Sequence, residues 1–194
     1  QTSGKVTRVR NQGACSAGYA FSAVGAVESL SGIFFSSLQE FSAQQIVDCS
    51  STYGNNGCSD GSAYNTFGFI KDRGISTEAS YPWVGSQRQC QSSTGAFKKL
   101  TGYRNITTCD NLAYFLATQP IAALMDATNL QFYQCGILPG CATGLNTAIL
   151  LVGMNDNAWR LKNSFGSSWG EQGYIRLYRG NTCGVCLQAS FPTA

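Results

Sequence analysis

Residues 6–28 read VTRVRNQGACSAGYAFSAVGAVE, and this stretch decides the fold. From Gly18 to Phe34 the apolar positions Ala20, Ala23, Val24, Val27, Leu30 and Phe34 recur at helical spacing. Such spacing lays an apolar stripe along one helix face, and the small residues let neighbours approach closely. The segment is therefore expected to be a long buried helix. Its start is weak, because Gly18 stands in the first turn, where glycine adds little propensity.

Outward from this helix the pattern stays helical for about half the chain. A second helix is expected from Ser42, where Ser42 and Gln45 form a capping-box pattern and Phe41 with Ile46 a hydrophobic staple. A third spans about Ser62 to Arg73 and is closed by Gly74. A fourth runs from Asp110, a good N-cap residue, to a stop at Pro120. Beyond Pro120 short strand-type runs take over: Ile121 to Met125, Thr147 to Val152, Trp159 to Lys162 and Tyr174 to Tyr178. In the last, Tyr174, Arg176 and Tyr178 fall on one face and Ile175 and Leu177 on the other. Helices first and strands second predict an α+β protein with segregated lobes.

The 194 residues are 43% hydrophobic, with 11 Phe, 9 Tyr and 3 Trp, enough for a core that needs no metal. Charged residues make up only 12%, about half of the roughly 25% usual for soluble domains. A net charge of +3 without a Lys/Arg cluster leaves no footprint for nucleic acid. The longest apolar stretches, such as Ala148 to Val152, are too short to cross a membrane as a helix. The nine cysteines are widely spaced, and the chain contains no histidine. That argues against a zinc site and for structural disulfides formed in an oxidising compartment. Cys183 to Cys186 form a lone CxxC pair, which by itself is weak evidence for redox chemistry. Asn105-Ile106-Thr107 is a glycosylation sequon, which fits secretion. No leader is visible at the start, so a protein that is secreted, or held in a lysosome-like secretory compartment, is expected here in its processed form.

The opening stretch resembles the active-site segment of the papain and cathepsin L family, a Cys-Gly-Ser/Ala-Cys-Trp/Tyr pattern opening a helix. GLNTAILLVG (144–153) resembles the family's histidine strand, LKNSFGSSWGEQGYIRL (161–177) its asparagine segment and CGVCLQASFP (183–192) its C-terminal strand. FSAQQIVDCS (41–50) and YPW (81–83) match as well. The resemblance implies one papain-like domain over residues 1–194. A helical lobe of about residues 7–100 would pack on a β-barrel-like lobe of about 101–194, with a cleft between. In that family a cysteine at the helix N-terminus attacks the substrate, its pKa lowered by the helix dipole and an imidazolium. A histidine from the other lobe acts as base and is oriented by an asparagine. A glutamine shortly before the cysteine helps stabilise the oxyanion.

Carried over position by position, the oxyanion glutamine is Gln12 and the orienting asparagine is Asn163. The nucleophile position holds Gly18 and the base position Thr147. The intervals from Gly18 to Thr147 and to Asn163 fit the family spacing of about 130–150 residues. Glycine has no side chain with which to attack, and threonine does not titrate near neutral pH as imidazole does. Without any histidine, no other register supplies a Cys–His or Ser–His pair. Tyr19 and Phe165 stand where the family carries tryptophans. The chain is thus expected to be non-catalytic, with Gln12 and Asn163 kept as hydrogen-bonding scaffold or, in the other reading, to bind ligand. Gly61 retains the backbone that pairs with peptide in the family, Asp60 places a carboxylate at the cleft wall, and Asn146 flanks the base position.

The resemblance also implies the disulfides Cys15–Cys58, Cys49–Cys90 and Cys141–Cys183. Cys109, Cys135 and Cys186 have no family partner; two are expected to pair and one to remain as a thiol, buried or linking chains. The start at Gln1-Thr2-Ser3-Gly4 departs from the family's usual Asp-Trp-Arg element, so that element has been removed or the chain is incomplete. Three functions follow from these residues, none needing a cofactor. The first is a secreted subunit that assembles with itself. The second is a module that binds a protein or peptide in the retained cleft. The third is a hydrolase rewired around Ser16 or Lys162.

Overall fold

The computed structural model describes residues 4–91, 97 and 100–194. The N-terminal departure at residues 1–3 lies outside them. Helix α1 spans Gly18–Phe34, and Tyr19 through Gly32 are all buried. Its stripe is widened to a full circumference because helices, sheet and the N-terminal segment surround it. The weak start holds: Ala17 precedes it with no side-chain cap.

Helix α2 covers Ala43–Cys49, with Ser42 accepting from Gln45 N. Only half of the expected capping box forms. Gln45 Oε1 instead accepts from Ser76 N at 2.7 Å, tying α2 to the segment around Ser76. Helix α3 covers Ala63–Arg73, capped by Ser62 and closed by Gly74 at φ 77°. Strand β1 is Gly102–Ile106 and helix α4 is Cys109–Leu116. The α4 cap is Thr108, not Asp110. Thr108 has the extended backbone a cap needs, while Asp110 lies inside the first turn, where its charge suits the helix dipole.

Strands β2 (Ile121–Met125), β3 (Ile137–Leu138), β4 (Thr147–Met154), β5 (Ala158–Lys162), β6 (Tyr174–Tyr178) and β7 (Ala189–Thr193) follow. They join β1 in one sheet of order β1-β7-β2-β4-β5-β6-β3. All neighbours are antiparallel except β3 and β6, so the sheet is mixed. The alternation read in β6 is as expected, with Ile175 and Leu177 fully buried.

One apolar core gathers α1, α2 and α3 with Ala122, Ala148 and Leu150 of the sheet; the other fills the strand-rich half around Trp159, Leu112 and Met125. A buried polar cluster links them. Glu28 on α1 accepts from Arg10 Nη2 at 2.9 Å, from Phe41 N at 2.8 Å and from Thr7 Oγ1. Lys162 Nζ at the end of β5 donates to the same Thr7 hydroxyl at 3.0 Å. A buried carboxylate is tolerated only when paired and hydrogen-bonded in this way. The cluster fastens the N-terminal segment, α1 and β5 to one another.

Four disulfides are formed. Cys15–Cys58, Cys49–Cys90 and Cys141–Cys183 are the implied pairs, and Cys109–Cys186 joins α4 to the segment before β7. Cys135 is left as an exposed thiol.

Candidate functional site

The start of α1 meets the start of β4. The chain arrives there through Cys15, held by its disulfide and by Ser16 N donating to Cys58 O at 3.0 Å. A Cβ placed on Gly18 would stand 2.9 Å from the main-chain oxygen of Ala148 and 3.6 Å from Gln12 Oε1. Gly18, Ala148, Lys162, Asn163 and Ser164 line one cavity of about 20 Å³, room for about one water. Thr147, half-buried, is the residue before Ala148. Gly18, Gln12 and Asn163 therefore meet beside Ala148, with Thr147 its neighbour in the chain, at a helix–strand spacing that leaves a Cβ on Gly18 no room without a shift.

The polar groups that remain are largely engaged with the scaffold. Gln12 Nε2 donates to Cys15 O at 2.9 Å, and its Oε1 accepts from Ser164 Oγ at 2.6 Å. Gln12 N also donates to Ser164 O at 2.8 Å, so this glutamine staples the pre-helix turn to the segment after β5. Asn163 Oδ1 accepts from Ser164 N, while its buried Nδ2 has no hydrogen-bond partner among the described residues. Phe165 packs edge-on against Trp169 with ring centroids 5.6 Å apart. Burial pulls the Lys162 ammonium down to about 8, against an upward pull from Glu28.

On the opposite wall Tyr19 reaches under the 57–61 loop and donates its hydroxyl to Gly57 O at 2.8 Å. Its ring lies so close beneath Gly61 that a Cβ there would come within 2.6 Å. Burial, reinforced by the nearby Asp60 charge, pushes the Tyr19 phenol well up. Asp60 is exposed, yet its Oδ1 accepts from Gly61 N at 2.7 Å. The amide expected to greet a peptide thus already has a partner. Asn146 is likewise turned to structure: its Oδ1 accepts from Ala127 N at 2.7 Å. Sequence reasoning missed Ser164 and the pinning role of Tyr19, since neither hydrogen bond leaves a local pattern.

A mainly helical half against a mixed sheet, with a disulfide-anchored helix start facing an asparagine-bearing strand end, defines a two-part cysteine-protease scaffold. The chain belongs to the papain family of cysteine proteases: the family model described as papain family cysteine protease matches residues 1–193. Cathepsin L 1 of Paramecium tetraurelia is 40% identical over 190 residues, covering 97% of this chain and 60% of that protein. Silicatein of Petrosia ficiformis is 40% identical over 209 residues, covering all of this chain and 62% of that protein. The chain thus spans about three-fifths of the length of these curated relatives. The crystal structure of the Carica candamarcensis cysteine protease CMS1MS2 in complex with E-64 superposes with a TM-score of 0.94 at 35% identity, over 98% of this chain and 94% of that one.

Proposed function

We propose that this protein is a secreted, non-catalytic member of the papain family that serves as a structural or assembly subunit. The observation that carries this reading is the packing at the nucleophile position. Gly18 offers no nucleophile, Ala148 O stands only 2.9 Å from where a side chain would begin, and the chain contains no histidine to act as base. Four disulfides favour an oxidising compartment, and no helix among the described residues is long and apolar enough to cross a membrane.

Assembly is supported by the low charge, which removes repulsion between copies. The unpaired Cys135 is exposed, and Phe132, three residues before it, is 74% exposed. Capture of a peptide in the cleft is the weaker reading, because Asp60 occupies Gly61 N and Gln12 Nε2 is spent on Cys15 O. A hydrolase rewired around Lys162 is weaker still: its Nζ is buried and bonded to Thr7.

Two measurements test the proposal. Under reducing conditions a fluorogenic dipeptide should not be turned over; turnover at a rate that scales with enzyme would sink the non-catalytic reading. Sedimentation of the protein from its source should show a species larger than 20.7 kDa that shrinks on reduction. A monomer in both conditions would refute assembly.

A further inference from the structure

The sequon Asn105-Ile106-Thr107 is a motif that the site does not absorb. Asn105 lies on β1, at one end of the sheet order, opposite Ser190 of β7. Strand alternation sends Ile106 into the core at 2% exposure, and it leaves Asn105 and Thr107 exposed on the other face. Among the described residues nothing hydrogen-bonds the Asn105 side chain. Its amide is therefore free for modification.

Asn105 also borders a small pocket of about 20 Å³. Exposed Tyr64 and Gln188 share its rim, and buried Ala122, Ala148 and Ala189 form its floor. Ala148 is the residue whose carbonyl faces Gly18. The two cavities thus share Ala148 as a lining residue, and the sequon stands at the rim of the second.

We propose that Asn105 carries an N-linked oligosaccharide whose first sugars stand over this pocket and screen it from ligands. The donor is an oligosaccharide linked to a lipid diphosphate. Asn105 Nδ2 bonds to C1 of the first sugar and gives up one proton. The bond from C1 to the diphosphate oxygen breaks, and the lipid diphosphate leaves with the electron pair, so nothing is oxidised or reduced. Such a glycan is bulky and hydrated, and it suits an exposed strand face rather than a packed one. The inference rests on the secretory part of the proposed function, because the same compartment closes the disulfides.

The test uses the chain secreted from glycosylating eukaryotic cells, beside Asn105→Gln and Thr107→Ala. Intact mass before and after peptide-N-glycosidase F should show a glycan on the unaltered chain and none on either variant. Tyr64, 41% exposed at the pocket rim, reports the screening. Tetranitromethane should nitrate it several-fold more slowly in the glycosylated chain than in both variants, with Tyr178 on β6 as internal reference. A bare Asn105 in secreted protein with four closed disulfides would overturn the proposal and leave the secretory reading standing. A glycan with Tyr64 nitrated equally in all three proteins would overturn the screening. Protein retained in the cell with open thiols would overturn the secretory reading and this proposal with it.

Discussion

Replacing Gly18 by alanine tests the closure of the site directly. Gly18 holds a backbone conformation open to any residue, so in a free helix the change would stabilise by about 0.4–1 kcal/mol through the unfolded chain. Here the new Cβ meets Ala148 O at 2.9 Å, where ordinary contact begins at 3.4 Å. The obstacle is main chain, and β4 is held on both sides: Ala148 pairs with Leu124 of β2, and Leu150 with Lys162 of β5. Retreat by about half an ångström would strain both ladders, and such overpacking costs roughly 1–3 kcal/mol. The net expectation is a loss of about 1 kcal/mol. Urea unfolding with disulfides intact should show a midpoint lower by roughly 0.5 M, for a slope of about 2 kcal/mol per M. Gly140→Ala, with nothing within 4 Å of its Cβ, is the control and should raise the midpoint by roughly 0.2–0.5 M through the unfolded chain. A Gly18→Ala protein as stable as the parent would show that β4 is not pressed against α1, and the packing argument for the proposed non-catalytic reading would fall. By the same geometry Gly18→Cys with Thr147→His should not restore efficient peptide hydrolysis.

Other expectations follow from single interactions. Lys162 falls to about 8 in the folded protein against an ordinary 10.5. The unfolded chain therefore binds more protons between these values, and stability should rise with pH across that window, by up to about 3 kcal/mol. Lys162→Met should flatten the rise; an unchanged pH profile would place the effect elsewhere. Replacing Cys109 and Cys186 together by serine should cost about 2–4 kcal/mol, read as a lower thermal midpoint, and no loss would mean that α4 docks without the bridge. Asp60→Ala should speed hydrogen exchange at the Gly61 amide several-fold, and unaltered exchange would mean that the carboxylate does not hold that group.

Much of the fold was legible because its signals are local. The stripe from Ala20 to Phe34 and the alternation from Tyr174 to Tyr178 depend only on residues a few positions apart, and both elements formed as expected, save that Phe34 at the end of the stripe is exposed because α1 runs out past its packing partners there. β1 and β7 were harder to see. GYRNI carries no clear alternation, and ASFPT contains a proline and is named a strand only through the resemblance; the two pair from Gly102↔Thr193 to Ile106↔Ala189, and β7 pairs with β2 as well. The α4 cap went to Thr108 because backbone conformation, not residue preference alone, selects the cap. The partner of Cys109 was likewise open until the chain brought α4 beside the segment before β7.

The sequence by itself named the residues onto which the resemblance carries the family's four catalytic positions, since register and identity are properties of the chain. Gly18, Thr147 and the absence of histidine are written there in full. Only the tertiary structure decided what the surroundings did with those residues. It set Ala148 O against Gly18, turned Gln12 Nε2 to Cys15 O, and bonded Asp60 to Gly61 N. Approach distances between a helix and a strand from opposite ends of the chain follow from how both cores close around them. A sequence names the groups, and packing sets the space between them.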